Sequence, residues 1–280
     1  MSPVVLGSRG QLGTAFAKLL GERVRALTKA ELDVTDGASV RQFFEDSKPD
    51  IVINCTGYTA VDRAEAEVAD ARALNVSAVR HIAREAARSG SGLITFSTDY
   101  VFDGTKATGY VETDDPNPLS VYGLTKLEGE RAALSEMPRA LVVRTSWLLS
   151  ATHPNFASAV LHRARSGYTE VVTDQKGRPT FVDDLANAAL KASQNGVTGL
   201  LHLANQGVTT WYDLAREVVS LAGLDSDLIQ PILSSDLQRP AQRPANSVLD
   251  SVRITEPGVS QMGDYSESLP FLVELIANGG

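Results

Sequence analysis

Near its beginning the chain reads Val4-Val5-Leu6-Gly7-Ser8-Arg9-Gly10-Gln11-Leu12-Gly13. The three apolar residues are typical of a short buried strand, and the residues from Gln11 to Leu20 have the period of an amphipathic helix. The glycines between them form a turn at a helix start, where free backbone N–H groups can hold a phosphate. The stretch therefore predicts a strand, a turn and a helix that together bind the pyrophosphate of a dinucleotide.

The alternation of strand and helix continues over the first 150 residues. Further strands are predicted at Arg23 to Leu27, Ile51 to Asn54, Leu93 to Ser97 and Leu141 to Arg144. Helices are predicted at Val40 to Asp46, from about Ala60 to Arg88, and around Tyr122. Strands that are apolar on both faces and joined by helices indicate a parallel sheet covered on both sides. We therefore expect an α/β fold with a doubly wound, Rossmann-type parallel sheet.

After Trp147 the pattern is less regular. Helices are predicted from Phe156 to Ser166, Phe181 to Ser193 and Trp211 to Ala222, a strand from Leu200 to Leu203, and an ordered loop over a site from Gln230 to Ser247. We expect residues 1–148, with later elements from about 169–204 and 245–254, to form the dinucleotide-binding domain. Residues 149–168, 205–244 and 255–280 are predicted to form a smaller, discontinuous substrate-binding lobe.

Composition excludes several classes of protein. The chain has 280 residues, 43% of them hydrophobic, and a net charge of -8, which argues against a nucleic-acid surface. Its apolar runs are shorter than the roughly 20 residues that span a bilayer, and no basic leader follows Met1, so we expect a cytoplasmic protein. Cys55 is the only cysteine and no His-x-x-x-His pair occurs, so neither an internal disulfide nor a zinc site is expected.

The end of the second predicted strand carries Thr28 and Lys29. NAD-specific folds place an acid there, which bonds to the ribose 2'-hydroxyl. Without a carboxylate at Thr28 a 2'-phosphate is tolerated, and Lys29 or Arg9 can attract it, so the sequence favours NADPH, with NADH as the alternative. Asp33 can accept a hydrogen bond from the adenine amino group; alternatively, Thr35-Asp36 only caps the next helix.

Tyr122 and Lys126 lie four residues apart on a predicted helix, so their side chains share one face. Thr98 ends a predicted buried strand, at the edge of the sheet where ligands gather in doubly wound folds. A hydroxyl, a phenol and an ammonium there form a proton-donating group for a carbonyl oxygen, and we expect Lys126 to lower the pKa of Tyr122. A proton donor beside a nicotinamide indicates hydride transfer to or from a carbonyl.

Several strings of residues occur in an order that is typical of one known family. They are Gly10-Gln11-Leu12-Gly13, Glu31-Leu32-Asp33-Val34-Thr35-Asp36, Tyr58-Thr59-Ala60-Val61-Asp62, Ser97-Thr98-Asp99-Tyr100-Val101-Phe102, Val121-Tyr122-Gly123, Arg144-Thr145-Ser146-Trp147 and Arg243-Pro244-Ala245-Asn246-Ser247. On these strings the chain resembles the extended short-chain dehydrogenase/reductase superfamily and, within it, the dTDP-4-dehydrorhamnose reductase family. The resemblance implies NADPH-dependent reduction of the C4 keto group of dTDP-4-dehydro-β-L-rhamnose to give dTDP-L-rhamnose.

The resemblance also implies roles for individual residues. Thr98, Tyr122 and Lys126 would be catalytic, with Tyr122 as the proton donor. The sugar nucleotide would contact Val61, Thr98, Asp99, Tyr100, Tyr122 and Trp147. The cofactor would contact Gly7, Arg9, Gly10, Gln11, Leu12, Gly13, Thr28, Lys29, Asp33, Val34, Thr56, Gly57, Tyr58, Asn75, Tyr122 and Lys126. Without the resemblance, Trp147 is interpreted as core packing, Val61 and Tyr100 as loop anchors, and Asn75 as a local hydrogen-bonding residue.

Two points separate the chain from its relatives. Ala15-Phe16 stands where some relatives have a glutamate that binds a dimer-bridging magnesium ion, so a metal-bridged dimer is not expected, while magnesium binding and the choice between monomer and homodimer stay open. Dehydratases of the superfamily have Asp-Glu after the catalytic threonine, whereas this chain has Asp99-Tyr100. The alternatives are another sugar-nucleotide reductase, an epimerase, or a non-catalytic subunit related to the methionine adenosyltransferase beta subunit.

Overall fold

Strands and helices alternate along residues 2–278, the part of the chain that the computed structural model describes. The strands are β1 (Pro3–Leu6), β2 (Arg25–Leu27), β3 (Ile51–Asn54), β4 (Gly92–Thr98), β5 (Leu141–Thr145), β6 (Leu148–Leu149), β7 (Thr169–Val172), β8 (Lys176–Gly177), β9 (Thr180–Phe181), β10 (Gly199–His202), β11 (Thr209–Thr210) and β12 (Ile229–Ile232). The α-helices are α1 (Gln11–Leu20), α2 (Gly37–Ser47), α3 (Val61–Ala64), α4 (Val68–Arg72), α5 (Ala78–Ser89), α6 (Val121–Glu136), α7 (Phe156–Ala164), α8 (Val182–Gln194), α9 (Trp211–Leu221) and α10 (Tyr265–Asn278).

Six of these strands form one parallel sheet in the order β10-β5-β4-β3-β1-β2. Successive side chains of a strand point to opposite faces, so Val4 packs on one side of the sheet and Val5 on the other. Helices α2 and α5 cover the first side, and helices α1 and α8 cover the second. The predicted doubly wound parallel sheet is confirmed.

A separate apolar cluster lies in the second half of the chain. Helices α7, α9 and α10 contribute side chains to it, and so do β7 and β12, which pair with each other and not with the central sheet. The division into two parts stays a prediction, and β7, which the prediction assigns to the dinucleotide-binding domain, packs with this cluster. Residues 279 and 280 of the predicted lobe lie outside the described residues.

Two predicted elements differ from the structure. The helix expected from about Ala60 to Arg88 is broken between α3 and α4, where Glu65 accepts a hydrogen bond from the Val121 backbone N–H at 2.8 Å and Glu67 accepts one from the Tyr58 hydroxyl. The first contact joins this segment to the start of α6 and the second joins it to the loop before α3, and helical period alone reveals neither. The loop expected from Gln230 begins within a strand, because residues Ile229–Ile232 form β12, which pairs in parallel with β7.

The described residues include no helix that is both long and apolar enough to cross a membrane.

Candidate functional site

A cavity of about 620 Å³ opens at the carboxyl ends of β3, β4 and β5. The order of the parallel strands brings these ends to one edge of the sheet, where ligands bind in doubly wound folds. Many of the predicted site residues line it, namely Gly10, Gln11, Leu12, Thr56, Gly57, Val61, Thr98, Asp99, Tyr100, Tyr122, Lys126 and Trp147. The fold therefore brings together residues that are more than 130 positions apart in the chain.

The glycine turn joins β1 to α1 at one part of this cavity. Gly7 has a φ of +74°, a left-handed conformation that glycine adopts without strain. A Cβ on Gly13 would lie 2.2 Å from the Gly7 carbonyl oxygen, so only glycine allows this close approach. Among the described residues no side chain caps the start of α1, which leaves the N–H groups of its first turn free for an anion. The turn therefore fits the pyrophosphate of a dinucleotide.

Two hydrogen bonds connect the glycine turn to the segment before α7. The Gln11 side-chain amide donates to the Pro154 carbonyl at 3.3 Å, and a ring nitrogen of His153 lies 2.9 Å from the Arg9 carbonyl. The Gln11 side-chain oxygen is buried and has no hydrogen-bond partner within residues 2–278. His153 and Pro154 also line the cavity, and the sequence reasoning missed both because neither belongs to a recognisable motif.

The end of β3 supplies the next wall. Thr56 and Gly57 line the cavity, whereas Tyr58 does not. The Asn75 side chain accepts a hydrogen bond from the Tyr58 N–H at 2.8 Å and donates to the Tyr58 carbonyl at 3.2 Å. Asn75 is buried and also donates to the Thr125 hydroxyl at 3.0 Å, so it ties this loop to α6. Asn75 is not among the residues that line the cavity, and its hydrogen bonds join separate segments of the chain. Its contact with the cofactor stays a prediction.

The end of β2 differs from the expectation in one respect. Thr28 donates two hydrogen bonds to the carboxylate of Glu31, so the premise that this strand end lacks a carboxylate is wrong. The chain turns between these residues, so the Glu31 carboxylate lies against Thr28. Inspection of position 28 in the sequence alone does not reveal this. Asp33 accepts hydrogen bonds from Thr35, and Val34 is buried in the core. Lys29 is exposed and lies 4.0 Å from Asp33.

Thr98 and Asp99 lie at the end of β4, both almost fully buried. The Thr98 hydroxyl donates to Asp99 Oδ1 at 2.9 Å and accepts a hydrogen bond from the Tyr100 N–H at 3.2 Å. Burial raises the pKa of the Asp99 carboxyl to about 6. Its other oxygen, Oδ2, is buried without a hydrogen-bond partner among the described residues. Asp99 therefore fixes the orientation of the Thr98 hydroxyl.

Tyr122 is in the first turn of α6, which begins after Ser120, whose hydroxyl accepts a hydrogen bond from the Gly123 N–H at 3.2 Å. The Tyr122 ring packs edge-on against the Tyr100 ring, with 5.8 Å between the ring centres. Burial raises the pKa of Tyr122 to about 12, and the Thr98 hydroxyl lowers it only in part. The phenol is therefore protonated at neutral pH and can serve as a proton donor.

Lys126 is buried, and its Nζ donates to the Phe96 carbonyl at 2.6 Å. Burial lowers the pKa of Lys126 to about 8, which the Glu130 carboxylate opposes. A lowered pKa of Tyr122 is not found in this structure, because burial raises that pKa and the Lys126 ammonium donates to the Phe96 carbonyl. Spacing along the helix predicted the shared face, but not how deeply both groups are buried.

Trp147 follows β5 in an unusual backbone conformation. Its φ is +47°, which is rare for a bulky residue and costs strain energy. The indole stacks on the Trp211 ring at 3.5 Å between ring centres, and a Cβ on Gly177 would lie 2.5 Å from it. Trp147 thus lines the cavity and also packs in the apolar cluster of the second half. Its contact with the sugar nucleotide stays a prediction.

A second cavity, of about 260 Å³, adjoins the first and shares Tyr100, Phe156 and Trp211 with it. Its charged lining residues are Arg163, Glu170, Arg239 and Arg243. Three guanidinium groups around one cavity indicate a site for an anion with several oxygens.

The arginines of the second cavity differ in their partners. Arg243 is held by Asp62, with two hydrogen bonds of 3.0 and 2.8 Å. The Arg239 guanidinium forms no hydrogen bond or ion pair with residues 2–278. Burial and the nearby Arg243 lower the pKa of Arg239. The sequence reasoning missed these residues, although the Pro-rich stretch that holds Arg239 and Arg243 was expected to lie over a site.

The chain is similar to one protein family and to several reductases of dTDP-linked sugars. A model of the RmlD substrate binding domain family matches residues 1–277. A Streptomyces antibioticus protein described as a probable dTDP-4,6-dihydroxy-2-methyloxan-3-one 4-ketoreductase is 41% identical over 273 residues, which cover 95% of this chain and 92% of the relative. A dTDP-4-dehydrorhamnose reductase of Streptomyces griseus is 41% identical over 283 residues, covering 96% of this chain and 93% of the relative. The structure of dTDP-4-dehydrorhamnose reductase from Bacillus anthracis in complex with NADP has a TM-score of 0.92 at 29% identity and covers 100% of this chain and 99% of that chain.

Proposed function

The chain belongs to the RmlD substrate binding domain family, and from this membership we propose that it uses NADPH to reduce the C4 keto group of dTDP-4-dehydro-β-L-rhamnose. The product is dTDP-L-rhamnose. The observation that carries the proposal is the presence of Thr98, Tyr122 and Lys126 in the same cavity as the uncapped glycine turn. A proton-donating group and a pyrophosphate site in one cavity suit reduction of a carbonyl.

The reaction adds a hydride to C4 and a proton to the C4 oxygen, so that the C=O double bond becomes a CH–OH group. The reduced nicotinamide supplies the hydride when it is bound. Tyr122 donates the proton to the developing alkoxide, and its raised pKa keeps the phenol protonated until then. The Thr98 hydroxyl lies beside the same oxygen, and the charged Lys126 stabilises the phenolate that remains after proton transfer.

We assign the second cavity to the diphosphate of the sugar nucleotide. Arg239 and Arg243 would bind the phosphate oxygens, since guanidinium groups match them in charge and geometry. The shared residues Tyr100, Phe156 and Trp211 would then lie between the diphosphate and the reacting sugar.

Arg239→Gln tests this assignment. Because the Arg239 guanidinium forms no hydrogen bond or ion pair within residues 2–278, its replacement leaves no buried group unpaired and should not change stability. We expect the KM for the sugar nucleotide to rise by about tenfold or more, as expected for loss of a charge-assisted hydrogen bond, with an unchanged Kd for NADPH. Steady-state kinetics and cofactor titration measure the two constants. Arg139→Gln, at an exposed site, is the matched control; an equal rise in KM for both variants would contradict the assignment.

The proposed activity is tested by the fall in absorbance of reduced nicotinamide when dTDP-4-dehydro-β-L-rhamnose is added. Stoichiometric formation of dTDP-L-rhamnose, identified by mass and NMR spectra, is the expected result. Binding of both ligands without turnover would instead favour a non-catalytic subunit. An isomerised keto sugar, formed with no net consumption of reduced cofactor, would favour an epimerase.

One specific observation favours a second candidate function. The relative from Streptomyces antibioticus is described as a 4-ketoreductase of a different dTDP-linked sugar. Its identity to this chain, 41%, equals that of the Streptomyces griseus relative. A comparison of kcat/KM for the two keto sugars distinguishes the candidates, and a value at least about tenfold higher for dTDP-4-dehydro-β-L-rhamnose, or about 1.4 kcal/mol, is expected.

We propose the cytoplasm as the site of action, because the reaction uses NADPH and a nucleotide sugar. The choice between monomer and homodimer stays a prediction.

The lowered pKa of Lys126 predicts the pH dependence. The ammonium is charged below about pH 8 and loses its proton as the pH rises through that value, whereas the pKa of Tyr122, about 12, lies well above this range. We therefore expect kcat/KM to be level between about pH 6, below which the Asp99 carboxyl gains its proton, and about pH 8, and to fall by about tenfold per pH unit above pH 8. Lys126→Arg keeps the positive charge, so its residual activity should lack this fall; a flat profile for the original protein up to pH 10 or so would contradict the role of Lys126.

A further inference from the structure

The short helix α3 is bonded to two segments that border the cavities. In its first turn, the Asp62 carboxylate accepts hydrogen bonds from the Ala241 N–H at 3.2 Å and from the Arg243 guanidinium at 3.0 and 2.8 Å. Glu65, the residue that follows the helix, accepts a hydrogen bond from the Val121 N–H at 2.8 Å. One end of α3 therefore contacts the second cavity's arginine, and the other end contacts the start of α6.

The two contacts of α3 lie close together on one rigid element. Asp62 and Glu65 are three residues apart, so their Cα atoms are separated by about 4.5 Å along a helix axis and their side chains share one face. Ala64 between them is buried, so the helix packs against the protein as one unit. Val61, the first residue of α3, lines the first cavity. A displacement of Asp62 therefore also displaces Glu65.

The contact of Glu65 with α6 lies beside the proton donor. The first N–H groups of an α-helix have no partner within the helix, and Glu65 supplies a partner to Val121, the residue before Tyr122. A carboxylate is also favourable at this end of the helix dipole. A Cβ on Gly123 would lie 2.1 Å from the Tyr100 carbonyl oxygen, so the same turn is in close contact with a second segment. Glu65 and this close contact together set the position of the turn that carries Tyr122.

Arg243 can bind an anion without leaving Asp62. Both hydrogens of its Nη1 are used, one by Asp62 Oδ1 and one by the Ala241 carbonyl at 2.8 Å, and one hydrogen of Nη2 is used by Asp62 Oδ2. The other Nη2 hydrogen and the Nε hydrogen have no partner within residues 2–278. These two hydrogens lie on one edge of the guanidinium, a geometry that binds two oxygens of a phosphate.

We propose that Asp62 and Glu65 are positioning residues, through which a diphosphate bound at Arg243 holds the proton donor in place. The proposal rests on the proposed function in that it needs the diphosphate of the sugar nucleotide at Arg243. A bound phosphate fixes the Arg243 guanidinium, and with it Asp62 and α3, so that Glu65 holds the first turn of α6 in one position. Binding energy from a part of the substrate that does not react is thereby used for proton transfer, and it appears in kcat.

Two variants of Glu65 distinguish this role from a general loss of structure. Glu65→Ala removes the acceptor for the Val121 N–H, and we expect kcat to fall by about tenfold while the KM for the sugar nucleotide changes by less than about twofold. Glu65→Gln keeps an oxygen that can accept the same hydrogen bond, so its kcat should stay within about threefold of the original value. Equal falls in kcat for both variants, or a change in KM alone, would overturn the proposal.

The matched control is Asp70→Ala on the neighbouring helix α4. The Asp70 carboxylate is exposed and forms no hydrogen bond or ion pair with residues 2–278. Its removal should leave kcat and KM unchanged.

Hydrogen exchange measures the coupling without turnover. The full chain is exchanged with and without saturating dTDP, and peptides that contain residues 118–127 report the first turn of α6. In the original protein and in Glu65→Gln, dTDP should slow this exchange by about tenfold. In Glu65→Ala, and in Asp62→Asn, which weakens the bond to Arg243, dTDP should leave the exchange unchanged.

Slowing that persists in Glu65→Ala would overturn the proposal, because the nucleotide would then act on α6 without α3. Failure of dTDP to bind the original protein in a calorimetric titration would also overturn it, together with the assignment of the second cavity. Since the exchange experiment needs no turnover, a negative reductase assay leaves its result intact, and a negative result in the exchange experiment leaves the reductase assay intact.

Discussion

Tyr122→Phe should lose nearly all turnover and still bind NADPH. The substitution keeps the ring, and with it the edge-on packing against Tyr100, and removes only the hydroxyl that donates the proton. General acid catalysis of this kind contributes about 10²- to 10⁴-fold, so kcat should fall to less than about a hundredth of its original value. Single-turnover measurements with saturating NADPH report the chemical step, and a cofactor titration reports the unchanged Kd.

The matched control is Tyr168→Phe, because Tyr168 is 78% exposed and lies outside both cavities. It should retain full activity. A Tyr122→Phe variant that keeps more than about a tenth of the original kcat would show that another group supplies the proton. Thr98 would then be the first candidate, since its hydroxyl lies in the same cavity.

The features that the sequence predicted well are those that local geometry determines. The glycine turn was recognisable because Gly7 adopts a positive φ and Gly13 meets the Gly7 carbonyl, so no other residue type suits either position. The shared face of Tyr122 and Lys126 follows from helical period alone. The parallel sheet was recognisable because its strands are apolar on both faces, as burial by two helical layers requires.

The features that the sequence did not reveal depend on the tertiary structure. The raised pKa of Tyr122 and the lowered pKa of Lys126 both follow from burial, which helical spacing cannot supply. The position of Arg239 beside the first cavity depends on a loop of little periodicity that follows β12. Glu31 was missed for a different reason, since its carboxylate reaches back three residues to Thr28 through a turn.

The buried ion pair between Glu130 and Arg144 connects the site to the core. The Arg144 guanidinium donates two hydrogen bonds, of 2.9 and 2.7 Å, to the Glu130 carboxylate, and the two side chains are only 3% and 4% exposed. Glu130 also lies one helical turn after Lys126 on α6 and favours its charged form. One carboxylate therefore stabilises two buried cations.

Glu130→Gln should destabilise the fold and shift the pH profile together. It leaves a buried guanidinium without its counter-charge, which costs about 3 to 5 kcal/mol, and lowers the midpoint of thermal unfolding by roughly 10 °C. The pKa of Lys126 should fall further, because the lost carboxylate no longer favours the ammonium, so the alkaline fall in kcat/KM should begin at a lower pH.

Glu128→Gln on the same helix is the control. Its pair with Arg72 is partly exposed and should contribute less than about 1 kcal/mol. Equal losses of stability in denaturant titrations of both variants, or an unmoved pH profile in Glu130→Gln, would show that Glu130 has no special role beside Lys126.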